Sequence, residues 1–153
     1  MRGKTLSKDR IVFLLVEDSE HDVTAFRRAW QDNGIANELK VVRSGLECLD
    51  YLQRRGQYRR EENAPRPRVI LLNNRMPRLD GLTVLEKIRQ DAEVENIPVI
   101  LFTSAESDLK ENQSYALGAN AYVVKPMNYE DLSRVVRSIN DFWKLVEVPE
   151  KLL

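Results

Sequence analysis

Short, wholly apolar runs that stop abruptly at polar residues set the pattern of this chain. Ile11-Val12-Phe13-Leu14-Leu15-Val16 ends in Glu17-Asp18, and Val69-Ile70-Leu71-Leu72 ends in Asn73-Asn74. Pro98-Val99-Ile100-Leu101-Phe102 ends in Thr103-Ser104, and Ala121-Tyr122-Val123-Val124 ends in Lys125-Pro126. Runs of this length without polar alternation fit strands buried on both faces, as in a parallel sheet. Leu39 to Val42 supplies a further short strand. Between the runs lie amphipathic stretches. Ser19 can cap a helix carrying Val23, Phe26, Ala29 and Trp30 at helical spacing, stopped by Asn33-Gly34. Ser44 can cap a second, with Leu46, Leu49, Tyr51 and Leu52 as its apolar face. Gly81 to Gln90 places Leu82, Leu85 and Ile88 on one face, and Leu109 to Leu117 is a weaker helix closed by Gly118. Asp131 to Leu145 is the last helix, with Leu132, Val135, Val136, Ile139 and Phe142 inward. Strand–helix alternation repeated about five times predicts an α/β fold, a parallel sheet with helices on both faces. Gly56 to Pro67 is a charged connection, longer than usual for such a fold.

The 153 residues suggest one domain with room for a real core. Lys and Arg number 24, as do Asp and Glu, so the formal charge is zero. That balance gives no case for bulk electrostatic attraction to nucleic acid or an acidic membrane. Cys48 is the single cysteine, which excludes an intrachain disulfide and a cysteine metal cluster. Its neighbours Leu46, Leu49 and Leu52 mark it as a buried structural thiol. Met1 to Arg10 reads as a loose polar lead-in and not a signal peptide, no stretch is long enough to span a bilayer, and the expected compartment is the cytoplasm.

In open α/β sheets, chemistry sits just past the carboxyl ends of the central strands. If the strands are neighbours, Glu17, Asp18, Asn73, Thr103 and Lys125 converge on one pocket. Two adjacent carboxylates suit a hard cation such as Mg²⁺. A lysine and a hydroxyl suit an oxyanion. A cation, an ammonium and a hydroxyl together describe a phosphoryl site. The bland alternative is that the acid pair caps a helix and the lysine is solvated.

Four segments carry a resemblance: Leu14-Leu15-Val16-Glu17-Asp18, Met76-Pro77-Arg78-Leu79-Asp80-Gly81, Phe102-Thr103-Ser104-Ala105, and Gly118-Ala119-Asn120-Ala121-Tyr122-Val123-Val124-Lys125-Pro126. Over almost its whole length the chain resembles bacterial response-regulator receiver domains. The resemblance implies a flavodoxin-like (βα)5 fold whose parallel five-stranded sheet runs in the order 2-1-3-4-5, an order the same general rule describes for a known receiver. It implies a receiver domain over 11–145, between a lead-in at 1–10 and a tail at 146–153. It further implies Mg²⁺ held by Glu17, Asp18 and the backbone carbonyl of Arg75, phosphoryl contacts from Thr103 and Lys125, and switching by Thr103 and the aromatic Tyr122. The long loop Gln53 to Pro67 and the ending Asp141 to Pro149 look closest to small stand-alone regulators paired with bacterial phytochromes. The implied partner is a sensor histidine kinase, such as a phytochrome, within two-component phosphorelay signalling.

One position departs from the family pattern. The phosphoacceptor is an Asp where this chain has Asn73. A carboxylate can attack a phosphoryl donor, whereas an amide oxygen is uncharged and a far poorer nucleophile. Asn73 also removes one of three crowded carboxylates, each like pair near 4 Å costing about 4 kcal/mol at an effective dielectric of 20. Weaker Mg²⁺ binding is therefore expected than with Asp. The chain is either a receiver that signals without phosphate or one whose acceptor was replaced to lock the unphosphorylated form. Intact Thr103 and Lys125 favour recent or deliberate loss. A small flavodoxin-like-fold enzyme, such as a phosphatase or flavin carrier, is the competing class. The acidic stretch Glu17 to Asp22 would repel phosphate without a cation, and His21 in a first helical turn reads as solvent-exposed. A DNA-binding regulator is disfavoured because no basic face or further domain stands out, so output is expected through protein–protein contacts. The apolar ending Phe142, Trp143, Leu145, Val146, Val148, Leu152 and Leu153 predicts a homodimer.

Overall fold

The computed structural model describes residues 11–103 and 118–144. The lead-in, Ser104, the helix expected over 109–117, Leu145 and the tail lie outside the described residues. Five parallel strands form one sheet in the order β2-β1-β3-β4-β5. They are β1 (Val12–Val16), β2 (Glu38–Val42), β3 (Val69–Asn73), β4 (Val99–Thr103) and β5 (Ala121–Val124). The connecting helices are α1 (Glu20–Asp32), α2 (Gly45–Gln53), α3 (Gly81–Arg89) and α4 (Tyr129–Trp143).

The two-residue period of the strands sorts the core into two layers. Leu14, Val16, Ile70, Leu72, Val99 and Leu101 pack with Leu49, Leu52, Leu82, Leu85 and Ile88 beneath α2 and α3. Phe13, Leu15, Val69, Leu71, Ile100 and Phe102 pack with Phe26, Trp30, Val136 and Ile139 beneath α1 and α4. β1, β3 and β4 are buried along their whole length, which is why their sequences show no polar alternation. Cys48 lies in the first layer, and burial pushes its thiol up to about 12.

Side-chain caps start each of the four described α-helices. Ser19, Ser44, Asp80 and Asn128 accept from the backbone amides of Asp22, Glu47, Thr83 and Asp131. Asn128 moves the start of α4 to Tyr129, two residues before the expected Asp131, since an Asn cap fixes the first turn while apolar spacing shows only the buried face. Phe142 of α4 is 60% exposed and Leu46 of α2 is 59% exposed, so neither turns inward as expected. Leu46 sits in the first turn beyond the arc that faces the sheet, and the buried face of α2 is Cys48, Leu49, Tyr51 and Leu52. The long connection after α2 is not structureless: it holds two short 3-10 turns, Gly56–Tyr58 and Glu61–Asn63. Tyr51 and Tyr58 pack ring to ring at 5.1 Å there, and Arg54 donates to the carbonyl of Ala64.

The chain leaves β1 for β2 on one side and reaches β3 on the other. The strand order therefore reverses between β1 and β3, and their carboxyl ends open a crevice there. The loop from β3 to α3 borders it and is tightly held. The amide of Leu79 donates to the carbonyl of Pro77 at 2.7 Å around Arg78, whose φ of 71° lies in the left-handed region. The amide of Gly81 donates to the carbonyl of Asn74 at 2.7 Å. A Cβ on Gly81 would stand 2.6 Å from the carbonyl oxygen of Asn73, so only glycine lets the loop close.

Candidate functional site

Three strand ends at the crevice are each pinned by a backbone bond to a neighbouring strand. The amide of Glu17 donates to the carbonyl of Val42, that of Asn74 to Phe102, and that of Lys125 to Thr103 at 2.6 Å. These bonds continue the sheet ladder one step past the apolar runs. They place side chains on a rigid base, which suits a site that must keep its geometry.

Glu17 is 3% exposed and forms the centre of the cluster. The Lys125 ammonium donates to Glu17 Oε1 at 2.6 Å and to Asp22 Oδ2 at 2.8 Å. Asn73 Nδ2 donates to Glu17 Oε2 and Asp18 Oδ1, both at 3.2 Å, and to the carbonyl of Arg75 at 2.9 Å. The amide of Ser19 adds a bond to Glu17 Oε2 at 3.1 Å. The orientation of the Asn73 amide follows from its surroundings. All three partners are acceptors, so only the nitrogen end can face them.

Burial is the larger influence on Glu17 and raises its carboxyl pKa against the pull of Lys125. For Lys125, burial acts to lower the pKa. Hydrogen bonds to Asp22 and Glu17 outweigh it, and the ammonium is held above the usual lysine range.

The expected residues thus come together in large part. Glu17, Asp18, Asn73 and the Arg75 carbonyl share one point, and Lys125 reaches the same carboxylate from the far side. Thr103 closes β4 in full burial, its carbonyl engaged by Lys125. Tyr122 pairs with Leu101 across β4 and β5 and packs, partly buried, against the α2–α3 layer. His21 is exposed. Asp22 is a site residue that the strand-end reading missed. It lies in the first turn of α1, four residues after Asp18, and one helical turn carries it back over the strand ends. Among the described residues, no group of three His, Cys, Asp or Glu side chains gathers as metal ligands. The oxygen set here is two carboxylates and a carbonyl. A narrow cavity of about 50 Å³ adjoins it, lined by Leu15, Glu17, Asp22, Asn73, Phe102 and Lys125 among others.

Comparison with known proteins agrees with this architecture. The model of the response regulator receiver domain family matches residues 13–137. Response regulator Rcp1 of Synechocystis sp. is 38% identical over 132 residues, spanning 86% of this chain and 88% of its own. The crystal structure of its Mn(2+)-bound form superposes with a TM-score of 0.80, covering 92% of this chain and 99% of that one. The phosphorylated cyanobacterial phytochrome response regulator RcpA superposes at 0.82, with 32% identity and the same coverage. Response regulator RPA3017, from red light signaling of R. palustris, superposes at 0.85, with 33% identity and again the same coverage.

The Lys125–Glu17 pair makes a pH-dependent prediction. A buried acid whose folded pKa lies above its unfolded value subtracts stability once ionised, and the penalty fades as pH falls through the folded value. Replacing Lys125 by Met pushes Glu17 further up. At pH near 8 the variant should lose about 1–3 kcal/mol, the cost of stranding a buried hydrogen-bonding partner. The deficit should shrink as pH falls toward the ordinary glutamate range near 4 and Glu17 takes up a proton. Urea midpoints of both proteins at each pH check this; a deficit that does not change with pH contradicts it.

Proposed function

The chain belongs to the response regulator receiver family, and we propose that within it this protein is a single-domain regulator that signals through protein contacts without forming an acyl phosphate. Its relatives include phytochrome response regulators, which supports a sensor histidine kinase of the phytochrome type as partner and a cytoplasmic setting. No helix among the described residues is long and apolar enough to cross a membrane. The observation that carries the reading is the end of β3. There the crevice presents the amide of Asn73, whose nitrogen already donates to three oxygens. Acyl phosphate formation needs a carboxylate oxygen that attacks phosphorus and expels the donor's leaving group. Asn73 has no such oxygen, and the acids around it are committed to Lys125 and to its own amide. The same feature speaks against an aspartyl phosphatase on this fold, which needs the same nucleophile. The reading gives Lys125 and Thr103 the phosphoryl-contacting roles of the family pattern and Tyr122 that of its switch aromatic.

Incubation with acetyl phosphate and Mg²⁺ should therefore leave the intact mass unchanged, while Asn73→Asp should gain one phosphoryl group. A stoichiometric adduct on the chain with Asn73 would overturn the proposal. An unmodified Asn73→Asp would show that the site is altered at more than one residue.

The protein is also proposed to form a homodimer through the end of α4. Phe142 stands 60% exposed, stacked edge-to-face on Trp143 with ring centroids 5.0 Å apart. Trp143 packs partly buried against the core, so the exposed Phe142 ring is held at the helix end, which favours a two-fold contact with a second copy. Since Asn73 cannot carry phosphate, such a dimer does not depend on it. Light scattering at tens of micromolar should report a dimer for the full chain and a monomer for Phe142→Asp. A monomeric parent chain would refute the dimer, and a dimeric variant would move the interface elsewhere.

A further inference from the structure

Loss of a nucleophile accounts for only part of what Asn73 does. The three oxygens around its Nδ2 come from two stretches: Glu17 and Asp18 in the loop after β1, and the Arg75 carbonyl in the loop after β3. They lie 3.2, 3.2 and 2.9 Å from the nitrogen. Two of them belong to carboxylates, and the third is a carbonyl whose loop is closed tightly by Gly81 and the turn at Arg78. Two carboxylate oxygens and a carbonyl oxygen brought to one point are the donor set of a hard cation. The family context implies such a cation, and the chemistry of the oxygens fits it. Its place does not. Mg²⁺ needs its oxygens at about 2.0–2.1 Å, in near-octahedral order. The point on which these oxygens converge holds the amide nitrogen, with two hydrogens and a partial positive charge shared among three acceptors. The other oxygen of Glu17 is taken as well, by Lys125 at 2.6 Å.

We propose that the Asn73 amide is a built-in surrogate for the divalent cation. It gathers Glu17, Asp18 and the Arg75 carbonyl as the ion would, and it competes with the ion for the same lone pairs. Removal of a charge is a different effect and predicts a different order of affinities. Asn73→Ala keeps the charge of the natural chain but releases the three oxygens. Under the surrogate account it binds a divalent cation more tightly than the natural chain. Under a charge-only account the two bind alike. Glu17, Asp18 and Asp22 are all engaged by Asn73 or Lys125. The proposal rests on the reading of this pocket as a receiver's acid site, and it holds whichever partner the protein serves.

Calorimetric titration with MgCl₂ and with MnCl₂ separates the accounts. The natural chain should bind most weakly, with Asn73→Ala tighter by about tenfold, the weight of one hydrogen bond to a charged group, and Asn73→Asp tighter again. In EDTA, the natural chain should have the highest urea midpoint of the three. Asn73→Ser, whose hydroxyl is too short to reach all three acceptors, serves in place of Asn73→Ala should that chain fail to fold, with the same expected order. Equal affinity in the natural chain and the Ala or Ser variant overturns the surrogate, as does tighter binding by the natural chain. Either result leaves the missing acyl phosphate untouched, because that is read separately by mass.

Discussion

Glu17 is the charge around which the rest of the site is arranged. A carboxylate buried to this degree is costly unless its lone pairs are engaged. One oxygen meets the Lys125 ammonium, and the other meets the Asn73 amide and the backbone of Ser19. Those contacts tie β1 to β3, to β5 and to the start of α1. Remove any one and a buried acid is left short of partners, which pushes its pKa higher still. The crevice between β1 and β3 is thus closed by a polar network across the strand ends, while the two apolar layers hold the strands themselves.

The same network sets what the protein can do. A phosphoryl site needs a nucleophile, a means of neutralising the transferred charge, and a rigid base. The rigid base is present in the ladder bonds past each strand, and the ammonium is present in Lys125. The nucleophile is not. Asn73 nearly preserves the shape of an aspartate while reversing its electrostatic role, since it offers hydrogens where an aspartate would offer lone pairs. An amide in place of that carboxylate removes one negative charge from the pocket and sets hydrogen donors against Glu17, Asp18 and the Arg75 carbonyl. Under the proposed function, the signal of such a receiver rests on the surfaces it presents without phosphate.

Much of the fold was legible in the chain. Wholly apolar runs marked β1, β3 and β4 because those strands are covered on both faces, and the polar residue ending each run marked the crevice. The strand order came from the family resemblance, since periodicity says nothing about which strands are neighbours. Other features were out of reach for physical reasons. Asp22 belongs to the site through helical geometry, so a search confined to strand ends passed over it, although its spacing of one turn from Asp18 could have revealed it. Leu46 and Phe142 are apolar by type yet exposed, because burial follows the arc of the helix and not the residue. The 3-10 turns after α2 lack a hydrophobic period and depend on contacts with Tyr51 and Ala64. The convergence of Glu17, Asp18, the Arg75 carbonyl and Asn73 was expected, but the donation of one amide to all three oxygens was not, because it depends on folded distances.

The side-chain amide of Asn73 can be observed directly. In a ¹H–¹⁵N spectrum of the natural chain, assigned by its disappearance in Asn73→Asp, the account predicts two separate proton signals that exchange slowly with solvent and keep their positions as millimolar MgCl₂ is added. Signals that exchange at the rate of exposed amides, or that shift at Mg²⁺ concentrations as low as those that saturate Asn73→Ala, would contradict it.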